Sequence, residues 1–152
     1  MALNFADIAG KKMAEAERPP LPPVGTYRFR VTKMPEASEA GQGKWDILTF
    51  NARAVEALDD VDMTDYKGEV TGISGQVKFM FNKEDEVEFG KSEYRARTFL
   101  EKHLRCAGPD DTFGQAMNAS VNQEFLGTIG WRQDKNDPEV FYAEITRTAP
   151  VE

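Results

Sequence analysis

The stretch VGTYRFRVTK, residues 24–33, alternates between apolar and polar side chains along its length. Its large apolar side chains occupy every second position, namely Tyr27, Phe29 and Val31. Successive side chains of a β-strand point to opposite faces of a sheet, so this pattern predicts a strand that buries its aromatic face. The same alternation places Arg28 and Arg30 on the outer face.

Further segments with the features of strands lie at residues 44–55, 75–81, 126–133 and 139–147. The turn signal DKNDP separates the last two segments and predicts that they form a hairpin. In residues 44–55, alternation predicts that Leu48 and Phe50 point inward while Trp45 and Arg53 point outward. Residues 34–44, MPEASEAGQGK, are rich in Pro, Gly, Ser and Glu and are predicted to form a loop.

Helical periodicity replaces alternation between the third and fourth strands. Ser92 is a candidate N-cap for a helix over residues 93–106, and residues 112–119 predict a second, shorter helix. Five strands with a helix between the third and the fourth is the order of the OB-fold, a partly open Greek-key barrel. We therefore predict a mainly β fold, an OB-fold-like five-stranded β-barrel with an inserted helix.

Residues 1–23 are predicted to form an N-terminal arm that precedes one OB-fold-like domain at residues 24–152. Leu3, Phe5 and Ile8 share one stripe of a predicted helix over residues 3–16. A Pro-rich, extended connector follows in residues 17–25, ERPPLPPVG. The sequence leaves open whether the arm packs on its own barrel, on a neighbouring copy as in a homo-oligomer, or across a binding groove.

The formal net charge of −7 argues against a polyanion partner, but the charges are segregated along the chain. Acidic residues concentrate in segments 56–65 and 84–88, whereas basic residues concentrate in 24–35 and 91–105. The sequence shows no secretory signal, no apolar run of the roughly 20 residues that span a bilayer, and one cysteine. We therefore expect no membrane partner and a cytoplasmic protein, in the host cell if it is viral.

Catalytic and metal-binding patterns are missing from the sequence, and we expect neither an enzyme nor a cofactor. The single histidine, His103, falls on the apolar stripe of the predicted helix, and the single cysteine, Cys106, follows it without an orienting acid. One His and one Cys do not make a zinc site. The acidic run at residues 59–65 lacks the Gly and Glu spacing of a calcium-binding EF-hand loop.

Binding of single-stranded nucleic acid is the remaining chemistry, because it requires a basic groove with aromatic platforms on which bases stack. The candidate basic residues are Arg28, Arg30, Arg53, Lys78 and Arg132. The candidate stacking residues are Trp45, Trp131 and Tyr142, although Trp131 shares its face with Ile129 and a core position is the alternative for it.

Four stretches of the sequence resemble a bacteriophage family, the DUF669-like OB-fold single-stranded-DNA-binding proteins. The stretches are VGTYRFRVTKM, GKWDILTFNARAV, LRCAGPDDT and FLGTIGWRQDKNDPEVFYAEITRTAP, and the resemblance covers residues 22–150. It implies a protein that protects single strands in DNA replication and recombination, together with phage replication or recombination proteins. Two departures are Ala143, where the family's last strand usually has Asn, and the ending TAPVE in place of an acidic recruiting tail.

We therefore expect a phage single-stranded-DNA-binding protein without sequence preference. The alternative from another class is a structural or assembly protein of a virion, such as a decoration or adaptor subunit, which has no nucleic-acid role. No residue distinguishes DNA from RNA, because none reports on a 2′-hydroxyl group.

Overall fold

The computed structural model describes residues 4–15 and 20–152 and contains a six-stranded antiparallel sheet with a few helices. The strands are β1 (Gly25–Val31), β2 (Glu36–Ala40), β3 (Trp45–Ala57), β4 (Ser74–Asn82), β5 (Glu124–Gln133) and β6 (Phe141–Ala149). The α-helices are α1 (Phe5–Ala9), α2 (Glu86–Thr98) and α3 (Phe113–Ala119). The predicted mainly β fold is confirmed, and so is the predicted β5–β6 hairpin.

The long strand β3 organises the sheet. One edge of β3 pairs first with β2 and then with β1, while its other edge pairs with β4. From β1 the sheet continues through β5 to β6. No strand pairing joins β4 to β6 within the described ranges, so the sheet is not closed there.

Strand β2 corrects the prediction that residues 34–44 form a loop. Its sequence, EASEA, is almost wholly exposed and has no β-branched or aromatic residue, so no alternation signalled a strand. The turn that follows places Gly41, Gln42 and Gly43 at φ values of 60°, 57° and 86°. This left-handed turn returns the chain into β3, and β2 then pairs along its whole length with residues 45–49.

The aromatic core lies on the inner face of the sheet, as the alternation predicts. Tyr27, Phe29 and Phe50 are fully buried. The Phe29 and Phe125 rings stack with centroids 5.6 Å apart, and Phe99 meets the Phe50 ring edge-on at 5.0 Å. Stacked and edge-to-face ring pairs add to the stability that burial provides.

Helix α2 begins seven residues earlier than predicted. Asp85 is its N-cap, and the Asp85 side chain accepts hydrogen bonds from the backbone N–H groups of Val87 and Glu88. Ser92 is buried inside the helix and donates its hydroxyl to the Met80 carbonyl of β4, at 2.6 Å. The prediction of Ser92 as the cap was wrong, because that hydroxyl anchors the helix to the sheet.

A π-helical turn, Phe99–His103, continues α2 and places Phe99 and Leu100 in the core. The helix therefore ends before residue 106, the end that the sequence predicts. Helix α3 agrees with the predicted bounds of 112–119, and Thr112 forms a capping box with Gln115.

The N-terminal arm is less helical than predicted. Helix α1 covers only five residues, and a short 3₁₀ helix, Met13–Glu15, follows it. Leu3 and residues 16–19 lie outside the described ranges. The described end of the connector contacts the sheet, because the Tyr27 hydroxyl donates to the Pro23 carbonyl at 2.6 Å and the Trp131 indole N–H donates to the Pro22 carbonyl at 2.8 Å.

Candidate nucleic-acid interface

An open cleft of about 730 Å³ runs between the outer face of β3 and β4 and the β5–β6 hairpin. We call it the main cleft. Four of the eight predicted site residues line it, namely Arg53, Lys78, Arg132 and Tyr142. The strands bring these residues together from positions as much as 89 residues apart, 53 to 142. Half of the predicted site residues therefore lie on one concave surface.

Strand register sets the spacing of the charges on this surface. Arg53 pairs with Ser74, and Lys78 pairs with Thr49, which lies four residues before Arg53 on β3. At roughly 3.3 Å per strand residue, the two positions are about 13 Å apart along the strand direction. Between them, the Gln76 side-chain amide donates to Asn51 Oδ1 at 3.0 Å, so a pair of amides forms the middle of the cleft floor.

Positive charge dominates the lining of the main cleft. Its lining includes four cationic side chains and a single carboxylate, Glu144. Arg132 forms an ion pair with Glu144 at 3.2 Å, and Lys33 forms one with Glu36. Arg53 and Lys78 have no carboxylate oxygen within 4.0 Å in the part of the chain that the structure describes, so their charges are available to a ligand.

Tyr142 presents an aromatic surface at the hairpin side of the cleft. Its side chain is 38% exposed, and the guanidinium of Arg132 lies 5.6 Å from the ring centroid. The hydroxyl donates to Asp134 Oδ2 at 2.9 Å. Hydrogen bonds from the Asn136 backbone and from Tyr142 hold the pKa of Asp134 below its usual value. The guanidinium over the ring and the hydrogen bond at the hydroxyl therefore orient the Tyr142 side chain.

Trp45 lies on the same outer face as Lys78 but beyond the main cleft. It pairs with Asn82 at the far end of the β3–β4 ladder, and its side chain is half-buried. The Lys44 ammonium lies 5.7 Å from its ring centroid. A side chain at Gly41 would bring its Cβ to 3.0 Å from Trp45 Cδ1, so this turn position packs closely against the indole.

Trp131 lies outside the main cleft as well. The structure exposes 51% of it, so the alternative of a core position is wrong. Trp131 pairs with Ala143 near the end of β5, where its indole N–H holds the connector at Pro22.

Arg28 and Arg30 are on the outer face of β1, as predicted, but they do not line the main cleft. Glu124 of β5 accepts hydrogen bonds from both, at 2.8 Å from Arg28 Nη1 and at 2.8 Å from Arg30 Nη2. Burial raises the pKa of Glu124, but the hydrogen bonds and charges of the two arginines outweigh this and leave the pKa lowered. The carboxylate thus already neutralises part of the charge that the prediction assigned to a ligand.

Sequence reasoning missed the polar floor of the cleft, namely Thr32, Lys33, Asn51, Ser74 and Gln76. Alternation identifies Asn51 as an outer-face residue between Thr49 and Arg53, and Gln76 and Lys78 are outward on β4 in the same way. Alternation therefore indicated the face on which these residues lie. Their short amide side chains, however, have no charge or ring that would distinguish them from ordinary solvent-exposed residues.

His103 and Cys106 have different hydrogen-bond partners. His103 Nδ1 contacts the Thr148 hydroxyl at 2.7 Å, and burial lowers the pKa of this histidine. Burial raises the pKa of the Cys106 thiol, whose Sγ faces the Leu100 and Ala116 carbonyls. Among residues 4–15 and 20–152, no three metal-ligating side chains come together. Nor does any helix in those ranges have the length and apolarity to cross a membrane.

No protein-family model matches the chain, and no curated protein matches it either. The geometry and charge of the main cleft therefore carry the functional argument.

Proposed function

We propose that this protein binds single-stranded DNA in the main cleft without sequence preference, as a bacteriophage protein that protects single strands in replication and recombination. The observation that carries the proposal is the combination of Arg53 and Lys78, which have no carboxylate partner in the described chain, with the oriented ring of Tyr142 on one concave surface. Backbone charge and base stacking are the two interactions that hold single strands.

We further propose that the fold is an OB-fold variant. Strands β1 and β2 follow each other along the same edge of β3, so together they take the place of one interrupted strand. With these two counted as one, the order is three strands, a helical segment and two strands, which is the OB-fold order. OB-folds bind oligonucleotides on the face of their second and third strands, which correspond here to β3 and β4.

The net charge of −7 does not oppose this function once the charges are located. Among the described residues, one carboxylate lines the main cleft, whereas segments 56–65 and 84–88 hold acidic residues elsewhere. Local potential at the cleft, rather than the total charge, steers a polyanion.

Fluorescence titration with an oligo-dT of about 16 nucleotides at ~50 mM salt tests the proposal. We expect saturable binding that weakens as salt rises. Arg53→Ala and Lys78→Ala should each reduce the slope of log K against log salt by about 0.7. The matched control is Arg97→Ala, because Arg97 on α2 is exposed and is paired with Glu101 at 2.8 Å. Absence of binding by the wild-type protein, or equal slopes for all variants, contradicts the proposal.

A structural or assembly role in a virion is the second candidate function. It is supported by the arm, where Phe5 and Met13 are 78% and 93% exposed and contact no core. Exposed apolar side chains on an N-terminal arm suit attachment to a neighbouring subunit. Co-purification with virion particles, combined with no binding to oligo-dT, would favour this candidate over the first.

A further inference from the structure

A second cleft, of about 390 Å³, opens between β4 and β6, where the sheet is not closed. Helix α2 and the π-helical turn form its other wall. Lys78 and Ile145 line both this second cleft and the main cleft. The two clefts are therefore adjacent, and they meet at Lys78 and Ile145.

The second cleft is cationic. Lys78, Arg95 and Arg147 line it, and no carboxylate of residues 4–15 and 20–152 does. Arg95 Nη2 donates to the Ser92 hydroxyl at 3.2 Å, and Arg147 Nε donates to the Thr128 hydroxyl at 3.4 Å. These neutral partners orient the guanidinium groups. No carboxylate oxygen lies within 4.0 Å of either group in the described part of the chain, although the charge of Arg147 helps to lower the pKa of Asp60.

An exposed aromatic ring accompanies this charge. Tyr94 of α2 lines the second cleft next to Arg95, and its side chain is 68% exposed. Guanidinium groups with a neighbouring exposed ring suit a phosphodiester and the base attached to it.

We propose that the second cleft binds the continuation of the same DNA strand, with Arg95 and Arg147 contacting backbone phosphates and Tyr94 stacking on a base. This inference rests on the proposed function of the main cleft. Because the two clefts meet at Lys78, the ammonium of this residue can contact the backbone of one strand that follows both clefts, which favours such a strand over a separate small anion. The DNA path therefore turns from the outer face of β3 and β4 to the gap between β4 and β6.

Titrations of the full-length protein with oligo-dT of two lengths distinguish binding in the main cleft from binding in the second cleft. An oligomer of about 4 nucleotides suits the main cleft alone, whereas one of about 16 nucleotides reaches both. The double variant Arg95→Ala/Arg147→Ala should bind the longer oligomer roughly tenfold more weakly, with a salt slope smaller by about 1.4. It should bind the shorter oligomer as the wild type does. Arg95→Lys/Arg147→Lys should retain most of the longer oligomer's affinity, and Arg97→Ala should change neither.

The results distinguish failure of this inference from failure of the proposed function. If the double variant binds both lengths as the wild type does, the strand does not enter the second cleft, although the main cleft still binds DNA. If the double variant binds both oligomers more weakly by the same factor, the arginines act through the overall electrostatic field of the protein, and the inference is again wrong. If the wild type binds neither length, the proposed function fails as well. Thermal unfolding of each variant confirms that it is folded.

Discussion

Gly75 of β4 lies against Ile145 of β6, so closely that a Cβ at Gly75 would be 2.7 Å from Ile145 Cδ1. The same Cβ would lie 3.2 Å from the ring of buried Phe29. Strands β4 and β6 thus contact each other through the Ile145 side chain, which packs on the backbone of Gly75. No ladder of backbone hydrogen bonds joins these two strands. Ile145 also lines both clefts, so this contact sets the shape of the surface that we propose for DNA.

Gly75→Ala should destabilise the protein by about 1–3 kcal/mol, because the added methyl group must displace Ile145 or the Phe29 ring from a packed core. Urea unfolding measures the change. Gly90→Ala is the matched control: Gly90 lies in α2, and a Cβ there meets no atom within 4 Å. That variant should be more stable by roughly 0.5–1 kcal/mol, since Ala favours a helix. Equal effects of the two substitutions would contradict the packing argument.

Tyr142→Ala should weaken binding of oligo-dT by about 1–3 kcal/mol, the range for loss of one base-stacking ring. Tyr142→Phe removes the hydrogen bond to Asp134 but keeps the ring, so it should retain most of the affinity. Titrations of both variants at one salt concentration provide the comparison. If the Phe variant loses as much affinity as the Ala variant, the hydroxyl rather than the ring makes the contact.

Glu124→Gln should destabilise the fold by about 1–3 kcal/mol, because a neutral amide replaces the carboxylate that Arg28 and Arg30 share. The pKa of Glu124 is lower in the folded state than its usual value of 4.5. Its contribution is therefore fully present above about pH 4.5 and is lost as the pH falls through the folded-state pKa. The stability difference between wild type and variant, followed by urea unfolding, should shrink toward zero in acid. A difference that does not depend on pH would contradict this account.

Alkaline stability should depend on Tyr27. Burial, with smaller contributions from the neighbouring Tyr66 and Asp60, raises the pKa of Tyr27 to about 12 from 10.0. Stability from this group is complete below pH 10 and declines at about 1.4 kcal/mol per pH unit as the pH rises toward 12, because the unfolded chain ionises first.

Tyr27→Phe should remove that decline, at the cost of about 0.5–1.5 kcal/mol at neutral pH for the lost hydrogen bond to Pro23. Denaturation at a series of alkaline pH values gives both effects. If wild type and variant lose stability in parallel above pH 10, another group is responsible.

The aromatic core could be predicted from the sequence because strict alternation and large rings report directly on burial. Tyr27, Phe29 and Phe50 are all at inward positions and are all fully buried. Strand β2 could not be predicted in this way, since its residues are polar or small and are held by the turn at residues 41–43 and by pairing with β3. Likewise, the prediction of Ser92 as the cap of α2 failed because the local sequence does not show that the Met80 carbonyl lies beside its hydroxyl.

The sequence could predict on which face of the sheet the candidate site residues lie, but not which of them line the main cleft. Alternation places Arg53 and Lys78 outward, and both line the main cleft. Arg28 and Arg30 also lie on the outer face, yet both donate hydrogen bonds to Glu124, which is 96 and 94 residues further along the chain. Such a pairing depends on which strand lies beside β1, and no local pattern encodes that neighbour.

The position of β1 between β3 and β5 has a consequence for the order of folding. Thr26 on β1 contacts Thr128 on β5 across 102 residues of sequence. During synthesis, β1 through β4 emerge before β5, and until β5 follows, that edge of β1 has no partner for its backbone N–H and C=O groups. The edge is covered only when β5 arrives, and contacts between residues so distant in the chain slow folding. The open edge of β1 can therefore pair with another chain in the interval between the release of β4 and the release of β5, which favours strand-to-strand aggregation.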